Sequence, residues 1–388
     1  MNRHNHGDLK QMQSLPLEAK IIMTQQRIRQ WYDHWDGDVY VSFSGGKDST
    51  VLKHIVDHTP GVHDVPAVFV NTGLEYPEIQ WFVKDIQAGK YSCFNPNVEI
   101  IRPEMRFDEV IKKYGYPVIG KEVAKNVAET RSKPDGYAAQ SFDPTSPKVQ
   151  KYGSRYDMSK WRFLIDAPFL ISDRCCHVMK KMPGKRYQKE TGRKKIVATM
   201  ACESQLRNTQ WLKKGCNAFE GASPRSAPMS FWTEQDVLLY IKKYIQAPLD
   251  TAWKDANSPC RTRRKKARKY LRRNSYKKYA YCSVYGDIRV KQPEDMDKGQ
   301  LNMIDMLGCY EPEDTLETTG CDRTGCVFCM FGITQDGCPN RFQRLKETHP
   351  RQYEYCINGG EMVDGKWQPS KEGLGLGKVL DYIGVKYD

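Results

Sequence analysis

Val39, Val41 and Phe43 alternate with smaller or polar residues, a period of two that predicts a strand entering a core. Directly after it, Val51, Leu52, Ile55 and Val56 share one face at helical spacing. Upstream, residues 17–35 read as an amphipathic helix packing on the same core. Residues 66–70 carry the pattern of a buried strand, and Pro77 with Glu78 suits the start of a helix through 79–83. Further strands are expected at 98–101 and 195–200, and Thr233 is placed to cap a helix running to Tyr240. Strands alternating with helices in this way predict an α/β fold, a parallel sheet with helices on both faces. Such sheets bind ligands at the carboxyl ends of their strands. Residues 131–160, rich in Ser, Pro, Gly and Lys, read as a loop or flexible insertion. The linear organisation expected is a helical extension over 1–36, a nucleotide-binding α/β domain over 37–250, a basic insertion over 251–310 and a Cys-rich region over 311–388.

Between the first strand and its helix lies Ser44-Gly45-Gly46-Lys47-Asp48-Ser49, with Ser42 just before it. Glycines let the backbone approach an anion, the first helical amides point at it, and Lys47 adds a full positive charge. The spacing is not the Walker pattern, so an ordinary P-loop ATPase is not expected. It resembles the pyrophosphate loop of the N-type ATP pyrophosphatases, whose sheet is Rossmann-like. Asn71-Thr72-Gly73 and the following Glu75-Tyr76-Pro77-Glu78 resemble the nucleotide-contacting Asp-Thr-Gly…Phe-Pro-Glu element of the phosphoadenosine phosphosulfate (PAPS) reductase family within that superfamily, with Asn71 in place of the Asp. Glu203-Ser204 and Arg207 resemble a strand-end element in which Arg207 would clamp a phosphate. Here Met200 or Ala201 stands where an Arg is common. Trp232-Thr233 and Asp236-Val237 resemble a further family stretch, in which Trp232 and Val237 read as packing.

Charge changes the picture locally. The chain of 388 residues carries a formal +14, yet the run from Arg261 to Lys278 holds eleven Lys/Arg and no acid. Without that run the balance falls to about +3, so the basicity is a patch and a patch implies a local polyanion. Tyr270, Leu271, Tyr276 and Tyr279 are interleaved with the charges, as on surfaces that track a nucleic-acid backbone and stack bases. A solvated charged loop is the plainer reading. No stretch approaches the roughly 18 apolar residues of a membrane span, and the start lacks a signal-peptide apolar region. A cytoplasmic protein without membrane contact is expected.

Thirteen cysteines in a long chain of this kind point to metal ligands or buried thiols rather than disulfides. Cys175 and Cys176 are adjacent, and Cys326-Val327-Phe328-Cys329 sets two thiolates on one turn. Two assignments compete: a zinc site from Cys321, Cys326, Cys329 and Cys338, or one four-thiolate site from Cys175, Cys176, Cys326 and Cys329. The order Cys-Cys, Lys180, Pro183, then Cys-x-x-Cys resembles adenylyl-sulfate reductases that hold a [4Fe–4S] cluster, which implies the second set, with Lys180 between cluster and substrate. The Glu-Cys-Gly-Leu/Ile-His segment of the assimilatory reductases is absent, and Cys356 reads as structural.

The resemblance implies an enzyme that binds an adenine nucleotide, ATP or adenylyl sulfate (APS) or PAPS, with Mg²⁺. Ser42, Ser44, Gly45, Gly46, Lys47, Asp48, Ser49, Asn71, Thr72, Gly73 and Glu203 would form the nucleotide site, and Lys47, Asp48, Lys180 and Arg207 would act in catalysis. The reaction expected is adenylation with pyrophosphate release for sulfur transfer to a nucleic acid, similar to DNA phosphorothioation and tRNA thiolation enzymes, with a sulfur- or electron-donor protein as partner. The alternatives are an APS or PAPS reductase, and a nucleotide-sensing DNA-binding regulator without turnover.

Overall fold

The computed structural model describes residues 3–221, 223–273, 284–291, 315–321 and 324–388. They form two compact units, each assembled from separated stretches: 1–70, 76–101 and 187–324 in the first, and 71–75, 102–186 and 325–388 in the second. The strands used below are β1 (Val39–Phe43), β2 (Ala67–Val70), β3 (Val98–Ile101), β4 (Val118–Ile119), β5 (Lys194–Ile196), β6 (Asn217–Ala218), β7 (Arg225–Ser226), β8 (Ile288–Val290), β9 (Leu316–Thr318) and β10 (Met330–Phe331).

The first unit is built on a six-stranded sheet in the order β3-β2-β1-β5-β7-β6, parallel except where β6 runs against β7. Val41 pairs with Ala67 and Val39 with Lys194, so β1 lies at the point where the chain turns from one side of the sheet to the other. A crevice opens at the carboxyl ends of strands at such a switch point. The period of two decides the faces. Val39, Val41 and Phe43 enter the large core with the helices Leu17–His34, Lys47–Asp57 and Pro77–Gln87, whereas Tyr40 and Val68 pack under Tyr187 on the opposite side. The sheet is thus covered on both faces.

One staple sets the far wall of the crevice. Buried Lys20, on Leu17–His34, reaches both carboxylate oxygens of Asp236 at 2.7 Å. Asp236 in turn accepts the Thr233 amide at 2.7 Å and closes a reciprocal cap on the helix Glu234–Tyr240. Trp232 Nε1 donates to Thr24 Oγ1 at 2.9 Å, and Trp232 and Val237 are fully buried, as packing residues should be.

The strand expected at 195–200 ends after Ile196. The Val197 amide still reaches Ser226 O, but 197–200 then leave the ladder and line the crevice, where cross-strand partners would block it. The basic run contains a helix, Arg261–Arg273, with buried Ala267 and half-buried Tyr270 and Leu271 turned to the core and Arg261, Arg263, Lys265, Lys266, Arg268 and Lys269 exposed. Its spacing is therefore helical. Residues 274–278 of that run, and Tyr279, lie outside the described residues.

In the second unit, β4 and β10 pair in parallel, Val118 with Met330 and Ile119 with Phe331. Residues 131–160 are not an open loop. They form short helices at Ala139–Phe142 and Pro147–Tyr152, anchored by buried Phe142, Val149 and Met158, with Ser146 capping the second. The Arg131 guanidinium donates to the carbonyls of Leu164, Ile165, Ala167 and Phe169 at 2.6–2.9 Å, which fixes the chain beyond. Few apolar residues are needed when one cation satisfies four carbonyls, so composition alone misleads here. Among the described residues, no helix is long and apolar enough to cross a membrane.

Lys20→Met would leave Asp236 buried without its counter-charge, at a cost of about 3–5 kcal/mol. Urea unfolding of the variant measures this, and a loss below about 1 kcal/mol would show that the staple is dispensable.

Candidate nucleotide cleft and cysteine centre

The Gly-Gly turn sits at the carboxyl end of β1. Gly45 has φ +72°, and a Cβ there would come within 2.6 Å of Ile79 Cγ2, so both conformation and contact demand glycine. Ser44 Oγ and Ser49 Oγ lie 2.9 Å apart, and Ser49 Oγ takes the Ser44 amide and donates to Gly46 O. These bonds lock the turn while leaving the hydroxyls at the cleft.

That cleft has a volume of about 690 Å³ and is lined by Ser42, Ser44, Gly46, Lys47, Asp48, Ser49, Glu203 and Arg207. Lys47 is buried, yet its Nζ lies 3.0 Å from Glu234 at the capped helix start. Burial works against the charge, but Asp48 and Glu234 outweigh it and hold the ammonium above the usual lysine range. Arg207 forms an ion pair with Glu203, one helical turn away. Cys202 opens on the same cleft; burial, with Glu234 and Asp48 nearby, pushes its thiol up.

Two cleft residues carry no signal in the sequence. Tyr285 is buried, accepts the Lys47 amide at 3.1 Å and holds its ring 5.6 Å from Lys47 Nζ. Thr324 is 2.6 Å from the same hydroxyl, and a Cβ on Gly46 would lie 2.9 Å from its Oγ1. Tyr285 is 238 positions from Lys47, in a stretch without a motif, so only folding brings it here. Glu234 was legible as a helix start but not as the partner of Lys47.

Asn71, Thr72 and Gly73 belong to the second unit and form a self-bonded turn. Asn71 Oδ1 accepts the Gly73 amide at 3.0 Å, and Thr72 donates its amide and hydroxyl to Glu75 at 3.1 and 2.7 Å. Glu75 is 4.0 Å from Lys180 Nζ, on the π-helical turn His177–Lys181. Cys326 and Glu75 raise the Lys180 ammonium against the effect of burial.

Cys175, Cys176, Cys326 and Cys329 line one cavity with Lys180, and its other walls are apolar: Leu74, Phe107, Pro117 and Met179. Cys321 and Cys338 do not line it. Cys321 Sγ instead lies 4.0 Å from the Tyr76 hydroxyl, in the first unit, and Cys338 is exposed. Cys175 and Cys176 sulfurs are 4.0 Å apart. A hydrogen bond from Cys175 lowers the Cys176 thiol to about 6, helped by Lys121, Lys180 and Lys181, and correspondingly raises Cys175. Burial pushes Cys326 up to about 11 and Cys329 in the same direction. Among the described residues, no three His, Cys, Asp or Glu side chains converge on a single-ion site. Four sulfurs around a cavity with otherwise apolar walls are the thiolate donor type that an iron–sulfur cluster or a zinc ion takes.

Arg341 holds the Cys-x-x-Cys turn in place. It donates to Cys329 O and Phe331 O at 3.0 Å each and pairs with both Asp336 oxygens at 2.7 Å. The Arg341 bond keeps the Asp336 carboxyl below its usual value of 3.8. A depressed carboxyl stabilises above that value and loses its effect as pH falls through the lower, folded one, so the lock persists through mild acid. Arg341→Ala is expected to speed labelling of Cys326 and Cys329 by a disulfide reagent about tenfold in the metal-free protein. An unchanged rate would show that the turn holds itself.

The sequence pattern of the phosphoadenosine phosphosulfate reductase domain matches residues 38–248. A stretch of 91 residues is 35% identical to an uncharacterized protein of Methanocaldococcus jannaschii, covering 23% of this chain and 18% of that protein's length. The crystal structure of phosphoadenylyl-sulfate (PAPS) reductase from Candida auris, a phosphate complex, aligns with a TM-score of 0.33 at 17% identity, over 59% of this chain and 87% of that one. The matched domain spans more than half of the sequence and contains the Gly-Gly turn, the Cys pair and Arg207, and the chain belongs to the phosphoadenosine phosphosulfate reductase family, within the PP-loop superfamily.

Proposed function

We propose that the chain binds ATP in the cleft beside β1 and activates a substrate by adenylation, releasing pyrophosphate, ahead of sulfur transfer to a nucleic acid. One observation carries this reading. The cleft gathers cations, hydroxyls and amides (Lys47, Arg207, Ser44, Ser49 and the helix start), while its one described thiol, Cys202, is pushed away from the thiolate form. Such a lining stabilises phosphate charge and is poor at thiol attack on sulfur. Cys356, the late cysteine, is fully buried with its thiol pushed up, which suits a structural role.

In this reading an acceptor oxygen attacks the α-phosphorus, the bond to the bridging oxygen breaks, and pyrophosphate leaves with that electron pair. Lys47 and the first helical amides hold the charge that develops on the leaving group. A phosphate oxygen takes the place of the Tyr285 hydroxyl at the Lys47 amide and competes with Glu234 for the ammonium. Asp48 is the loop carboxylate suited to Mg²⁺, a hard cation that takes oxygen ligands. The outer sulfur of a persulfide on a donor protein then attacks the acceptor atom that bears the adenylated oxygen, that oxygen leaves with AMP, and a second thiol of the donor cleaves the S–S bond, leaving sulfur on the acceptor and a disulfide on the donor. The four cysteines would hold a [4Fe–4S] cluster, which when bound supplies sulfur or electron chemistry, and Lys180 lies against that thiolate set. The exposed cations of Arg261–Arg273 supply the sequence-independent attraction for the acceptor strand.

A second reading, reduction of APS or PAPS, rests on Cys202 at the same cleft. Pyrophosphate release from ATP with single-stranded DNA or RNA separates the two. The wild-type chain is expected to turn over about 10²–10³ times faster than Lys47→Ala, with unfolding midpoints compared to exclude misfolding. Equal rates would reject adenylation. Sulfite release from PAPS with thioredoxin, abolished by Cys202→Ser, would establish the reductase instead.

A further inference from the structure

A second cleft, also of about 690 Å³, lies within the second unit between the helix Lys121–Ser132 and the short helices that follow it. Two of its tyrosines present large exposed faces, Tyr137 at 60% and Tyr152 at 50%, and Tyr156 stands 5.5 Å from Tyr152, ring centre to ring centre. Exposed aromatic faces grouped in a concavity are uncommon unless something stacks on them.

The cleft also contains a cation that no carboxylate among the described residues neutralises. Lys148 is 8% exposed, and its Nζ donates to Ser141 Oγ at 2.6 Å and Tyr137 O at 3.5 Å, both neutral acceptors. It sits 4.5 Å from the Tyr137 ring centre and forms no ion pair among the described residues. The contrast with the other buried lysines is direct: Lys20, Lys47 and Lys53 each contact a carboxylate within 3.0 Å. Burying an ammonium against neutral groups alone is unfavourable, and an arriving anion would relieve it. Lys125 and Lys133 line the same cleft, with Lys125 already 3.6 Å from Glu129 and Glu122 alongside.

We propose that this cleft binds a nucleotide unit, its base stacked on Tyr137 and Tyr152 and its phosphate drawn to Lys148. Base stacking on exposed rings beside a cation is how single strands are held without sequence preference. The ligand comes either from a nucleic-acid strand or from a free nucleotide, and the chemistry recognised is the same. This site goes beyond the proposed adenylation: it lies in the other unit and requires no turnover at the Gly-Gly turn.

The test uses the full chain and a single-stranded DNA of about ten nucleotides bearing 5-iododeoxyuridine. Photo-crosslinks are mapped by mass spectrometry, and affinity is read by fluorescence anisotropy. Crosslinks are expected at Tyr137 or Tyr152, and they should persist in Lys47→Ala, so that a failed adenylation reading leaves this one standing. The pair Tyr137→Ala and Tyr152→Ala together should weaken binding about tenfold or more, and Lys148→Met should weaken it and flatten the salt dependence, with Lys148→Arg retaining both. The tyrosines are exposed, so their variants should unfold at the wild-type midpoint. Displacement of the crosslink by AMP would identify free nucleotide as the source, and persistence in its presence a strand. Crosslinks confined to other residues, or wild-type affinity in both the double-tyrosine and Lys148→Met variants, would overturn the proposal.

Discussion

A lysine ammonium held out of water is stabilised by negative charge at contact distance, and the cleft beside β1 is organised around meeting that demand at Lys47. The carboxylate of Glu234 answers it at 3.0 Å. Glu234 is there because Thr233 and Asp236 cap the helix it begins, and Asp236 is there because buried Lys20 grips it from another helix. Each link is a charge or donor satisfied by the next. The cleft wall therefore depends on a bond formed well away from it. The same logic explains the loop amide: the Tyr285 hydroxyl accepts from Lys47 N–H, so that amide has a partner within the protein. In the proposed function, an anion entering the cleft would exchange these partners and create no new demand.

The cysteine centre follows a different rule. Its four thiols come from two stretches far apart in sequence: the parallel pairing of β4 with β10 carries the Cys-x-x-Cys turn to 118–119, the Tyr116–Ile171 bridge carries the Cys pair to the same segment, and Arg341 bonds to the turn. The sulfurs are electrostatically unequal. Cys176, bonded by its neighbour and facing three lysines, is lowered to about 6, while burial raises Cys326 to about 11. Lys180 stands against this set and is steadied by Glu75, which Thr72 also holds. The Asn71-Thr72-Gly73 turn is thus tied to Lys180 through Glu75, a link that motif comparison alone does not reveal.

Periodicity read the elements of the first unit well because each is decided by its own side chains. Val39, Val41 and Phe43 can bury together only as a strand, and Val51, Leu52, Ile55 and Val56 only as a helix. It read 195–200 too long, since a strand pattern does not reveal where a cleft interrupts the ladder. It read 131–160 as open chain, since its apolar anchors Phe142, Val149 and Met158 are few and widely spaced, and the Arg131 bonds to four distant carbonyls leave no mark in composition. It missed the helical stripe of Ala267, Tyr270 and Leu271 beneath a surface of cations.

The sequence by itself determined the chemistry on offer: a glycine-hinged loop with Lys47, two pairs of cysteines and a local excess of cations. Those follow from residue type and short spacing, which are fixed before folding. Which groups meet was decided by the tertiary structure. Tyr285 and Thr324 reach the loop, Glu234 faces Lys47, Cys338 does not line the four-thiol cavity, and Lys148 is buried beside exposed tyrosines without a carboxylate partner among the described residues. The reason is physical. Contact across many intervening residues is selected by the packing of a whole core and by the pairing of buried charge, neither of which any short stretch encodes.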